Sequence, residues 1–105
     1  MKLLTKEIEK KIPALYSTED VKVEEKKVNV KFFTPDSNWT WWAWEGQRIG
    51  DDYEFFGIVE GHVIEIGYFR LSDLEKVRGP FGLKVERDKW FDGKLPENII
   101  NYLTN

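Results

Sequence analysis

Apolar side chains fall at alternate positions through the first two thirds of the chain and at helical spacing in three places. Val21 and Val23, then Val28, Val30 and Phe32, alternate with charged residues. Lys22 to Lys31 therefore predicts a half-buried strand or hairpin, with Glu24 to Lys27 as its charged turn. Trp39 to Glu45, Tyr53 to Glu60 and Val63 to Arg70 each have strand length. Gly46 to Asp52 and the Glu60-Gly61-His62 corner connect them as short turns. Leu83 to Arg87 is a candidate for a last short strand.

Three segments read as helices. Thr5 stands in N-cap position before Lys6 to Lys11, and Pro13 ends that helix. Ser72 and Glu75 have capping-box spacing, Leu71, Leu74 and Val77 line one face, and Gly79-Pro80 stops the element. These signals predict a helix over 72–78. Pro96 suits the first turn of a C-terminal helix over 97–103, with Ile99, Ile100 and Leu103 as its apolar stripe. Consecutive strands with short turns imply an antiparallel meander of three to five strands, with the short helices packed on one face. The expected fold is thus α+β, one domain over residues 1–105.

Composition narrows the class. Hydrophobic residues at 41% and charged residues at 33% suit a soluble globular chain, and aromatics at 15% imply that a few large side chains supply much of the core. No cysteine is present, which removes disulfides, thiolate metal sites and cysteine nucleophiles. The opening MKLLTKEIEKK lacks the apolar run of a signal peptide, and no stretch reaches membrane-spanning length. A cytoplasmic location is the default, with no membrane partner and no cofactor expected.

The net charge of −3 is unevenly spread. Residues 1–35 hold eight lysines against six acids, whereas 36–65 hold seven acids against Arg48 alone. SNWTWWAWEG, residues 37–46, lies in that acidic third and carries four of the five tryptophans. Alternation along a strand puts Trp39 and Trp41 on one side and Trp42 and Trp44 on the other. With one face covered, one pair is expected in the core with Val28, Val30 and Phe32, and the other partly exposed. Trp39 and Trp41 are assigned to the core, Trp42 and Trp44 to the surface. An exposed pair, with Glu45 beside it, would make an aromatic, acidic ligand-binding platform. Its surroundings suit a cationic side chain better than a polyanion.

Catalytic sets are hard to assemble. His62 is the lone histidine and sits at a tight turn, where a solvated side chain is the ordinary outcome. Asp51, Asp52 and Glu54 crowd a hairpin tip without calcium-loop spacing. Nuclease-like triplets such as Glu24-Glu25-Lys26 precede Asp36 rather than follow it. Gly79-Pro80-Phe81-Gly82 lacks the residues of a phosphate loop. No catalytic and no metal-ligating residues are assigned. Arg70, Arg78 and Arg87, in and before RGPFGLKVERD, are the candidate anion-binding residues; an ion-pair network with Glu86 and Asp88 is the plainer reading.

The segments LLTKEI, IPALYSTED, VKFFTPDSNWTWWAWEG and FFGIVEGHVIEIGYFRLSDLEKVRGPFGLKVERDKWF resemble a small family of bacterial proteins known as a domain of unknown function, with LSDLEKVRGPFGLKVERD as the most specific block. The resemblance spans residues 3–92. It implies carriage on plasmids, phages and integrative elements and hence an accessory role; a label of single-stranded DNA endonuclease is attached to some relatives. It implies no catalytic residues. Residues and resemblance together favour a non-enzymatic binding module with a protein partner. The alternatives are a nucleic-acid-processing protein, such as a metal-dependent single-stranded DNA nuclease, and a DNA-mimic antagonist of host defence.

Overall fold

Thr5 opens the first helix as predicted, its Oγ1 accepting the Ile8 N–H at 3.2 Å. The computed structural model describes residues Met1–Asn105 and places helix α1 at Lys6–Lys11. Glu7 and Glu9 in its first turn and Lys10 and Lys11 in its last complement the helix dipole. Four strands follow: β1 Val30–Phe33, β2 Thr40–Ile49, β3 Asp52–Glu60 and β4 Ile64–Arg70. Helix α2, Leu71–Lys76, a two-residue strand β5, Glu86–Arg87, and helix α3, Glu97–Thr104, complete the chain. All pairs are antiparallel, in the order β4-β3-β2-β1-β5, so the meander runs β1 to β4 and β5 adds to its outer edge. The fold is α+β, as expected. No helix is long and apolar enough to cross a membrane.

Helices cover both faces of the sheet rather than one. On the first face Phe32, Trp41, Tyr53 and Phe55 pack with Leu3, Leu4, Leu74 of α2 and Val85. Burial pushes the Tyr53 hydroxyl up to about 12. On the second face Val28, Trp42, Trp44 and Ile58 pack with Ile99 of α3. A second correction concerns Lys22 to Lys31. Only Val30 onward is strand; Val23–Glu25 is a single 3-10 turn. Val28 precedes the strand, so alternation does not bind it, and it joins the second core while Val30 and Phe32 join the first.

The β2–β3 ladder carries the one irregularity. Its register shifts between Ala43 and Glu45, so Trp44 has no opposite residue, the signature of a bulge. The ladder also brings two backbones close: a Cβ on Gly57 would run into the Trp42 carbonyl oxygen and the Ala43 backbone. Gly50, φ +59, opens the two-residue turn between Ile49 and Asp52, a position that suits glycine in hairpins.

The start of α2 differs from the capping-box expectation. Ser72 lies inside the first turn rather than before it, and Arg70 is the N-cap with no side-chain bond. The cap comes from β3: Asp52 Oδ1 accepts the Ser72 N–H at 3.1 Å and Asp52 Oδ2 the Ser72 hydroxyl. Those bonds, with the Tyr53 N–H, hold the Asp52 carboxyl below its ordinary range. Likewise Gly79 is not a left-handed terminator; α2 stops at an extended Val77. Pro96 is the N-cap of α3.

Candidate functional site

Three of the four clustered tryptophans are buried. Trp42 and Trp44, expected at the surface, are each 1% exposed, and Trp41 is 6% exposed in the first core. Trp39, assigned to the core from sequence, stands just before β2 and is partly buried, packed against the first core with one side open. Its ring stacks on Trp41 with centroids 6.0 Å apart, and the His62 ring meets it edge-on at 5.7 Å. Trp42 and Trp44 are shielded because Ile99 and Leu103 of α3, with Phe91 and Leu95, close the face that carries them.

Glu45, the polar member of the expected platform, is inside as well, at 3% exposure. Its Oε1 accepts the Tyr16 N–H at 2.8 Å, and its Oε2 accepts the Thr18 N–H at 3.2 Å and the Thr18 hydroxyl. Lys26 Nζ lies 3.8 Å from Oε2 and also donates to the Thr18 carbonyl and hydroxyl. Glu45 therefore anchors the irregular segment after α1, where Tyr16 holds a left-handed φ of 70°.

Asp36 does a related job at the other end of β2. The Gly82 N–H donates to the Gly79 carbonyl at 2.9 Å and the Gly79 N–H to that of Leu83 at 3.0 Å, while Arg78 and Lys84 bridge. Residues 78–84 thus form a miniature hairpin with Pro80 and Phe81 in the turn and Gly82, φ +80, in the left-handed position after it. Asp36 Oδ2 accepts the Phe81 N–H at 2.8 Å and the Leu83 N–H at 3.3 Å, fastening this hairpin to the β1–β2 connection. A Cβ on Gly79 would displace the Asp36 carboxylate and with it the tether. Phe81 consequently stands at the tip of a tethered turn, 84% exposed.

Trp39 lies between two grooves. One, about 300 Å³, runs between Trp39 and Trp41 and the hairpin residues Val77, Arg78, Gly79 and Pro80. The other, about 480 Å³, is more polar, with Lys31, Asn38, Thr40 and Glu60 in its walls. Trp39 with its two grooves and Phe81 on the adjoining hairpin make up the candidate site.

The three arginines do not converge. Arg70 is on β4 and Arg87 on β5, at opposite edges of the sheet. Arg70 pairs with Glu54 at 3.4 Å, Arg87 donates to the Lys2 and Leu3 carbonyls, and Arg78 donates to those of Glu75 and Val77 at 2.8 Å. Of these, Arg78 alone borders the Trp39 groove. Asp51 is exposed at its turn, Asp52 caps α2 and Glu54 holds Arg70, so the acids of that hairpin face separate tasks. No group of three His, Asp or Glu side chains gathers closely enough to hold a metal ion.

Sequence reading missed Phe81 and the role of Asp36. The Gly-Pro-x-Gly spacing signals a tight turn, but the carboxylate that tethers it comes from far along the chain. It also passed over Trp90, the fifth tryptophan, which is 92% exposed. No curated protein and no solved structure matches the chain. A family model does, over residues 3–104, so the chain belongs to the family described as protein of unknown function (DUF2958).

Proposed function

We propose that this chain is a non-enzymatic binding module whose partner is a protein, met by the Phe81 hairpin and the Trp39 groove behind it. The observation that carries this reading is a large apolar side chain, 84% exposed, on a turn that Asp36 clamps through two backbone N–H groups. Leaving a phenylalanine in water is unfavourable, and holding it rigid lowers the ordering cost of docking. Aromatic anchors beside a groove are the usual carriers of interface energy. The aromatic part of the expected surface is thereby relocated from Trp42 and Trp44 to Trp39 and Phe81.

The two competing readings fit less well. A nucleic-acid surface built on the late arginines needs a basic stripe, and Arg70 and Arg87 lie at opposite edges of the sheet. A DNA mimic needs its acids displayed together, whereas Glu45 is buried, Asp36 tethers the hairpin, Asp52 caps α2 and Glu54 pairs with Arg70. The mobile-element setting implied by the resemblance suits an accessory protein that works by binding.

Affinity capture from the native host, with and without nuclease treatment, tests the proposal. A nuclease-resistant protein partner should be retained by the wild type and lost with Phe81→Ala, at a cost of about 2 kcal/mol or more in affinity. The thermal midpoint should stay the same, because Phe81 packs against so little. Retention of that partner by both Phe81→Ala and Trp39→Ala, or a partner released by nuclease, would refute the assignment.

A further inference from the structure

The fold gathers two lysine pairs that lie apart in sequence. Lys10-Lys11 closes α1 and Lys26-Lys27 follows the 3-10 turn, and all four line one pocket of about 290 Å³ together with Thr18 and Trp44. Lys26 alone of the four has a carboxylate partner, Glu45 at 3.8 Å. Lys10, Lys11 and Lys27 form no ion pair, and Glu9, next to Lys10, is committed to Arg48 at 2.8 Å. Like charges collected around one concavity repel one another unless an anion enters. The carbonyl end of α1 offsets part of the charge of Lys10 and Lys11, but Lys27 is on another segment.

We propose that this pocket binds a small multivalent oxyanion of the phosphate class, held chiefly by the ammonium groups of Lys10, Lys11 and Lys27. At about 290 Å³ the pocket has room for one or two phosphate groups. Lys26, tied to Glu45 and Thr18, fixes one wall of the pocket rather than supplying free charge. The site is separate from the Phe81 hairpin and stands or falls independently of the partner proposed there.

Calorimetric titration of the full chain with pyrophosphate at low ionic strength tests the site. Saturable one-to-one binding is expected, weakening as sodium chloride is added. Lys10→Glu and Lys27→Glu should each reduce the affinity by about tenfold, while Phe81→Ala leaves it unchanged. Unaltered thermal midpoints would confirm that the variants fold, since Lys10 and Lys27 are both exposed. A parallel titration with a single-stranded oligonucleotide separates a free anion from a nucleic-acid backbone. No saturable pyrophosphate signal up to about 10 mM, whether or not the oligonucleotide binds, would overturn the proposal. Binding indifferent to both charge reversals would do the same.

Discussion

Glu45→Ala is the most demanding perturbation the structure offers, because it removes one carboxylate that serves four donors. The side chain is 3% exposed and accepts from the Tyr16 N–H, the Thr18 N–H and the Thr18 hydroxyl, with Lys26 at 3.8 Å. Hydrogen bonds to a charged group contribute about 1.5–3 kcal/mol each. Lys26, whose side chain is 6% exposed, would be left as an uncompensated buried cation, and breaking such a pair costs about 3–5 kcal/mol. These contributions overlap, since Thr18 and Lys26 share the same carboxylate oxygen. We therefore expect a net loss of about 3–5 kcal/mol, a large share of the roughly 5–15 kcal/mol stability of a typical domain. Urea unfolding measures it as a fall in midpoint at constant slope. Lys26→Met added to Glu45→Ala should recover part of the loss, because the stranded charge is gone; the double-mutant cycle isolates that term. Hydrogen exchange should show the Tyr16 and Thr18 amides deprotected first. A loss under 1 kcal/mol, or strict additivity of the two substitutions, would sink the idea that this pair anchors residues 13–27.

Acrylamide quenching should divide the five tryptophans into two accessible ones, Trp39 and Trp90, and three shielded ones; Trp90→Phe should remove the most accessible fraction. Efficient quenching that persists in a Trp39→Phe/Trp90→Phe double variant would contradict the burial of Trp42 and Trp44. Stability should also respond to acid through Asp52, whose folded carboxyl titrates below the ordinary value of 3.8. A depressed folded value means the contribution is present above 3.8 and lost as pH falls through the folded value. Asp52→Asn should therefore flatten the decline in midpoint below pH 3.8. An unchanged acid limb would show that Ser72 gains nothing from the charge.

The parts legible in sequence were those decided by neighbours a few residues away. Thr5 and Pro13 bracket α1, the β3 and β4 boundaries fall within a residue of the alternation that marks them, and Leu71, Leu74 and Val77 pack as one stripe. The parts that were not legible depend on partners distant in sequence. Asp52 caps α2 from another strand, so Ser72 looked like a cap when it is the residue being capped. Asp36 tethers a hairpin more than forty positions away. Val28 and Val30 share a parity but sit in different cores, because the strand begins only at Val30. The lysine pocket has the same origin, since nothing local joins Lys10-Lys11 to Lys26-Lys27.

The tryptophan segment shows where alternation itself misleads. Counting faces along TWWAWEG assumes one covered side and an unbroken period of two. Both assumptions fail in β2. It is an inner strand, between β1 and β3, with a core on each face. A strand buried on both faces reads as a continuous apolar run rather than an alternating one, and Trp41-Trp42-Ala43-Trp44 is such a run. The bulge then leaves Trp44 unopposed and sets Glu45 opposite Phe56. Without that shift Glu45 would stand opposite Phe55, a member of the first core. With it, the carboxylate reaches the Tyr16 and Thr18 amides and Lys26. The proposed recognition surface therefore draws on two aromatic side chains outside the doubly covered stretch: Trp39, which precedes it, and Phe81, which Asp36 holds away from it.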